Sequence, residues 1–240
     1  MNRFFASRVG EEIVLSPDSI HHIVNVLRKK EGDHFEVVIE EKVYDAELVS
    51  LNPFRLKLGE EKEENRETGI SIKLAFALLK GGHDDLLVQK GTEMGVKEFL
   101  PFVNERTIIQ LKNEKEKEKR VDRFQKIASF ACEQCKRSFV PTVKPIVSFE
   151  ALLKVSSKHK FIAYEGEAGK SNSLFSSLNK IQKGDDVLIA IGPEGGFSET
   201  EVKKALDNGF ALISLGRRIL RAETAAMYAA AILSAKGDEQ

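Results

Sequence analysis

Two patterns of apolar and polar positions divide the chain. In the first 58 residues the stretches "HFEVVIEEKVYDAELVSL" and "FRLKLGE" alternate apolar with polar residues and are rich in Val and Ile, which is the period-two signature of half-buried strands. Between strand-like runs, "SPDSIHHIVNVLRKKEGD" has the spacing of a short helix, with Ser16 or Asp18 as its cap and "EGD" as the closing turn. A small β-barrel over residues 1–68 is the simplest solution. "GEEKEENRETG", residues 59–69, is charged and nearly free of apolar residues, as a linker would be.

From residue 70 to 240 strands alternate with helices. "SIKLAFALLK", "KEFLPFV", "KFIAYEG", "DVLIAIG" and "ALISLG" are strand-like. "HDDLLVQKGTEMGV", the long "NEKEKEKRVDRFQKIASFACEQCKR", "LFSSLNKI", "SETEVKKALDNG" and "TAAMYAAAILSAKG" are helical. Apolar strands joined by crossover helices predict an α/β domain with a mostly parallel sheet covered on both faces. The run "KNEKEKEKR" reads as the solvated face of its helix.

Composition narrows the function classes. Lys and Arg equal Asp and Glu at 37 each, but Lys and Arg number 10 against 15 acids through Thr68, a net of −5, with +5 beyond it. A non-specific nucleic-acid binder would carry a broad basic excess, so any RNA contact must be local, as at "LRKK". No apolar run approaches the roughly 18 to 20 residues that span a bilayer, and the N-terminus lacks a signal-peptide core, which makes a cytoplasmic location the default. The two cysteines, Cys132 and Cys135 in "CEQC", have no second Cys or His pair at zinc spacing and lie in a helical pattern; they read as packed thiols, with no metal implied.

The chemistry concentrates in "IGPEGGFSETEV". "DDVLIAIG" ends a buried strand, and Ser198 with Glu201 forms a capping box that starts a helix, so the glycine-rich loop joins a strand's carboxyl end to a helix N-terminus. Open α/β sheets bind ligands there. Glu194 argues against phosphate, and the spacing fits neither G-x-G-x-x-G nor G-x-x-x-x-G-K-[ST]. A second loop, "LGRRILRAET", occupies the corresponding position after the next strand, ahead of a helix whose consecutive small residues permit close approach of another helix or chain.

"IGPEGGFSETEV" and "LGRRILRAETAA", with "LLVQKGTEMGVKEFLPF", "ACEQCKR", the opening "RFF" and "HHIVNVLRKKEGD", resemble the RsmE family of ribosomal RNA uridine N3-methyltransferases in the SPOUT superfamily, over nearly the whole chain. One departure is the lysine in "CEQCKR", where such proteins often carry glycine. The resemblance implies a PUA-like, RNA-binding β-barrel before a SPOUT-type parallel-sheet methyltransferase domain with a C-terminal trefoil knot. It also implies a homodimer that uses S-adenosylmethionine to methylate 16S ribosomal RNA in the small subunit. Topology rules alone favour an unknotted doubly wound sheet.

The same resemblance places the cofactor among Tyr164, Glu165, Ile191, Gly192, Pro193, Glu194, Gly195, Gly196, Leu215, Gly216, Ile219, Leu220, Arg221 and Thr224. Its adenine would lie near Ile191, Leu215, Ile219 and Leu220, and Glu165 or Glu194 near its polar atoms. A sulfonium tolerates a nearby carboxylate as a phosphate would not. Methylating N3 requires loss of its proton and stabilisation of charge on O2 and O4. Arg221 is the first choice for that stabilisation; Glu194 and Glu223 are candidate bases, though Glu223 equally suits a helix-start acid. RNA phosphates would be met by Arg3, Arg8, Arg28 and Lys29 in the barrel and by Lys90 and Arg137, with His22 either a ligand or a packed ring. Two rivals stay open: a methyltransferase of the same superfamily acting on another RNA position, and a non-catalytic RNA-binding assembly factor.

Overall fold

The computed structural model describes residues 2–10, 12–167 and 172–239, in two compact units. One comprises residues 1–67 with 132–139; the other comprises 68–131 with 140–240.

The first unit is built on β1 (Arg3–Val9), β2 (Glu12–Leu15), β3 (His34–Ile39), β4 (Lys42–Leu51) and β5 (Phe54–Lys62), in the order β2-β1-β3-β4-β5. β1 and β3 are parallel and every other pairing is antiparallel. The sheet curls into a half-barrel rather than closing: its outer strands β2 and β5 come within 8 Å but do not pair. Alternation on β3 turns Phe35, Val37 and Ile39 into a core shared with Phe4, Ile23 and Leu48. Helix α1 (Pro17–His21), continued by a wider turn over His22–Val26, starts at Ser16, whose hydroxyl accepts from the Ser19 N–H at 3.0 Å.

Three features depart from the sequence pattern. The run from His34 to Leu51 is a hairpin whose turn residues Glu40 and Glu41 have φ of +50° and +65°, a conformation with no glycine to announce it. Residues 59–62, read as linker, are the end of β5, with Glu61 opposite Tyr44 and Lys62 opposite Val43. The acids that made this stretch look unstructured hold buried cations. Arg3 is 1% exposed and gives Nε and a terminal nitrogen to Glu36 Oε2 at 3.1 and 3.0 Å, another bond to the Lys136 carbonyl, and an ion pair to Glu64. Lys62 completes the cluster at 3.0 Å from Glu36 Oε1. Burial pushes the Glu36 carboxyl up, and Lys62 and Arg3 more than reverse this, leaving it below its ordinary value. Elsewhere in the unit the Ser19 hydroxyl donates to Glu133 Oε1 at 3.4 Å, and burial pushes Glu133 up to about 7.

The second unit holds β6 (Ser71–Ala77), α2 (His83–Glu93), β7 (Val96–Val103), most of α3 (Glu114–Cys135), β8 (Thr142–Val143), β9 (Val147–Ser148), α4 (Phe149–Leu153), β10 (His159–Ala163), α5 (Leu174–Ser177), β11 (Asp186–Ile191), α6 (Glu199–Asp207), β12 (Ala211–Ile213) and α7 (Ala222–Asp238). Its seven strands pair in parallel in the order β12-β10-β11-β6-β7-β8, with β9 also on β7. Ile72, Leu74 and Phe76 of β6 pack with α2, α3 and α7, while the alternate residues Ala75 and Ala77 pack with α4 and α6. Both faces are therefore covered, and each large apolar side chain fully buried there contributes about 1.5–3 kcal/mol. Register aligns the strand ends: Ala163 of β10 lies opposite Ile191 of β11 on one side and Ile213 of β12 on the other. The three strands thus end in a row.

Candidate functional site

The loops leaving those three ends, together with His83 at the start of α2, enclose a cavity of about 520 Å³ at the carboxyl edge of the sheet. The loop after β11 is shaped by glycine. Gly196 has φ +67°, and its N–H donates to the Pro193 carbonyl at 2.9 Å. A Cβ on Gly192 would stand 3.0 Å from the Phe197 ring, and one on Gly196 would stand 2.7 Å from Glu165 Oε2. Both halves of the Ser198–Glu201 capping box form. The same Glu201 carboxylate also accepts from Asn104 Nδ2 at 3.0 Å and from the Glu105 N–H at 3.0 Å, while Asn104 reaches the Gly196 carbonyl at 3.2 Å. One buried carboxylate therefore braces the loop and starts the helix behind it.

The loop after β12 turns at Gly216, φ +115°, held by the Ser214 hydroxyl, which accepts from the Gly216 N–H at 3.1 Å and donates to its carbonyl at 2.9 Å. Arg221 follows with extended backbone at the N-cap of α7, its side chain exposed. Of the cofactor residues expected from sequence, Tyr164, Glu165, Ile191, Gly192, Pro193, Glu194, Gly196, Leu215, Gly216, Ile219, Leu220 and Arg221 line this one cavity, as does the candidate base Glu223. Gly195 and Thr224 do not. Gly195 turns toward Arg106, which would lie 3.2 Å from a Cβ there and which donates to its carbonyl at 2.8 Å; Thr224 is exposed on α7 outside the lining.

The fourth wall was missed by sequence reasoning. After β6, Gly81 and Gly82 take φ of +65° and +79° and return the chain so that His83 lines the cavity, its Nδ1 3.4 Å from Glu223 Oε1. The Lys80 N–H approaches Glu194 Oε1 at 3.5 Å. Asp84 fixes this loop: its carboxylate accepts from the Leu79 N–H at 2.9 Å and from Arg120 at 2.5 Å, and Arg120 also reaches the Leu79 carbonyl at 3.3 Å. Burial pushes the Asp84 carboxyl up against those bonds. The available signal was "KGGHDD", a glycine pair at the carboxyl end of a strand ahead of a polar residue.

The RNA candidates divide. Arg3 and Arg137 are 1% and 3% exposed, and Arg137 donates to Glu67 at 2.6 Å, so the expectation that they meet phosphate is corrected: their guanidinium groups are spent on buried carboxylates. His22 is half-buried with its ring edge-on to Phe4 at 6.0 Å. Arg8 and Arg28 are exposed; Lys29 lies 3.9 Å from Asp33, and Lys90 pairs with Glu93 at 2.9 Å. Cys132 is buried and Cys135 half-buried, and the two are not joined in a disulfide. Among the described residues no cluster of His, Cys, Asp and Glu suits a metal ion, and no helix is long and apolar enough to cross a membrane.

The half-barrel unit and the parallel-sheet unit with its cavity at adjacent strand ends correspond to the two domains of an RNA methyltransferase. Residues 66–234 match the family described as an RNA methyltransferase domain, and residues 8–61 match the RNA methyltransferase PUA domain. The chain is 35% identical to ribosomal RNA small subunit methyltransferase E of Bacillus subtilis, across 98% of this chain and 96% of that protein. It is 31% identical to the protein of the same name from Mesomycoplasma hyopneumoniae, across 95% and 96%. A crystal structure of ribosomal RNA small subunit methyltransferase E from Neisseria gonorrhoeae bound to S-adenosyl methionine superposes with a TM-score of 0.82 at 31% identity, covering 98% of this chain and 97% of that one. The chain belongs to the ribosomal RNA small subunit methyltransferase E family.

Proposed function

We propose that this protein transfers a methyl group from S-adenosylmethionine to N3 of a specific uridine in the 16S RNA of the small ribosomal subunit. The observation that carries this reading is the chemistry of the cavity. Glu165, Glu194 and Glu223 bring three carboxylates, against the two guanidinium groups of Arg218 and Arg221, to a partly apolar space between three strand ends, an environment that suits a cationic sulfonium better than a polyphosphate. The residues present fit the cofactor. Gly192 and Gly196 keep backbone close to neighbouring groups where a Cβ would intrude, Leu215, Ile219 and Leu220 supply apolar wall, and about 520 Å³ accommodates a nucleoside-sized ligand.

When bound, the cofactor supplies an electrophilic methyl group on sulfur. The protein's part is to hold the uracil ring beside it and to manage charge. Arg221, exposed at the cavity wall, stabilises negative charge on O2 and O4 as N3 loses its proton. Glu194 and Glu223 place proton acceptors on the same wall. Exposed Arg8 and Arg28, with Lys29 and Lys90, are the remaining candidates for phosphate contacts once Arg3 and Arg137 are removed, and the half-barrel is the RNA-binding domain. The protein acts in the cytoplasm as a homodimer: exposed Tyr228 on the alanine-rich α7 supports a second copy packing there. A knotted path belongs to the same reading, supported by β11, later in the chain than both neighbours, lying between β10 and β6.

Calorimetry with S-adenosylmethionine and with ATP tests the ligand class. Binding of the first and not of the second is expected; ATP binding without S-adenosylmethionine binding would overturn the reading.

A further inference from the structure

We infer that His83 is the base that takes the proton from the pyrimidine N3, with Glu223 as the carboxylate that orients it; this rests on the proposed methyl transfer to N3 and deepens it. Four observations converge. His83 lines the cavity, although it lies at the start of α2, far in sequence from the glycine-rich segments. Its Nδ1 faces Glu223 Oε1 at 3.4 Å, and the Glu223 side chain is only 12% exposed against 42% for His83, so the carboxylate sits behind and the imidazole in front. Nε2 has no hydrogen-bond partner among the described residues, and it lies on the side of Gly81, whose φ of +65° turns the chain there and where a Cβ would stand in ordinary contact, 3.6 Å from Nε2. The loop itself is braced by the Asp84–Arg120–Leu79 bonds, so the ring is carried on a fixed element.

This arrangement follows the logic by which a buried carboxylate on one imidazole nitrogen leaves the other free to accept a proton. The pair is long for a hydrogen bond, as base contacts commonly are before substrate closes the site. Proton accounting also favours the imidazole over Glu194 or Glu223, since a carboxylate is a poor match for the weakly acidic imide N–H. In the step, the N3–H bond breaks, the proton passes to His83 Nε2, and the electron pair stays on N3 and is shared with O2 and O4 beside Arg221. That pair forms the bond to the methyl carbon as the carbon–sulfur bond breaks onto sulfur. The charged groups that line the cavity with His83 are Glu223 from α7, Glu165 after β10, Glu194 from the β11–α6 loop, and Arg218 and Arg221 from the β12–α7 loop, and Lys80, Asp84 and Asp85 lie in its own segment.

Two measurements test this separately from the function itself. In the ligand-free protein, long-range proton–nitrogen NMR should show His83 protonated at Nδ1 when neutral, and Glu223→Gln should shift the ring toward the Nε2-protonated tautomer; an Nε2-protonated ring in the parent protein sinks the assignment whatever the substrate. In single-turnover methylation, His83→Ala and His83→Asn should lower the rate about 10²–10⁴-fold with S-adenosylmethionine affinity unchanged. They should also change the shape of the pH–rate profile, and added imidazole should restore part of the His83→Ala rate. A variant that keeps the parental rate and profile, or that loses cofactor binding in step with rate, overturns the proposal. Failure of the parent protein to methylate RNA would instead strike the function beneath it, leaving the NMR result to decide the dyad.

Discussion

The carboxylate of Glu165 stands where a side chain on Gly196 would have to go: a Cβ built there would meet Glu165 Oε2 at 2.7 Å and Oε1 at 2.8 Å. Two loops from adjacent strands are thus set against each other at the cavity wall, and the absence of one methyl group permits it.

Gly196→Ala should therefore act in two ways. Its φ of +67° costs alanine about 1 kcal/mol, and the new Cβ displaces the exposed Glu165 side chain rather than the fold. Thermal unfolding should fall by only a few degrees, while S-adenosylmethionine affinity falls about tenfold or more. Glu165→Ala should reproduce the affinity loss with no loss of melting temperature. Parental affinity in both variants would remove Glu165 from the site.

Arg221 projects from the N-cap of α7 into the cavity lining and carries no capping hydrogen bond of its own. Arg221→Ala should lower methyl transfer about 10²–10³-fold while calorimetric affinity for the cofactor stays nearly intact. Equal losses in both would make it a cofactor contact instead.

Gly91, inside α2, is a position where helix propensity and packing disagree. Alanine in a helix gains about 1 kcal/mol over glycine, but a Cβ at Gly91 would stand 2.8 Å from the Phe99 ring, itself fully buried. Overpacking of this kind costs about 1–3 kcal/mol, so Gly91→Ala should be destabilising by about 1 kcal/mol in denaturant. A stabilised variant would show that the ring yields freely.

Glu133 provides a pH test. Its pKa is raised by burial to about 7 in the folded protein, from an ordinary value of 4.5. The folded state binds the proton more tightly, so this contribution is fully present below pH 4.5 and is lost as pH rises through about 7. Glu133→Gln keeps an acceptor for Ser19 and cannot ionise. It should raise the melting temperature at pH 8, by on the order of 1–2 kcal/mol of stability, and change little at pH 5. An equal effect at both pH values would contradict the shift.

Much of the second unit was legible because buried parallel strands are uninterrupted apolar runs and Ser198–Glu201 is a local signal: both depend on near neighbours in sequence. What was not legible depends on partners far away. Arg3 looked like a surface cation because Glu36 and Glu64 lie 33 and 61 residues away, and the acids of residues 59–69 looked like linker because their cations come from elsewhere in the chain. The Glu40–Glu41 turn uses residues that carry no turn signal. His83 went unnoticed because its partner, Glu223, sits 140 residues later on α7, and the packing of α2 against α7 brings the two together.

The central claim is tested most directly by incubating the purified protein with labelled S-adenosylmethionine and small ribosomal subunits from cells lacking the endogenous enzyme, then mapping the product by mass spectrometry. N3-methyluridine at a single position of the 16S RNA is the predicted result. Label at another base or on ribose, or no label from a protein that binds the cofactor, would contradict it.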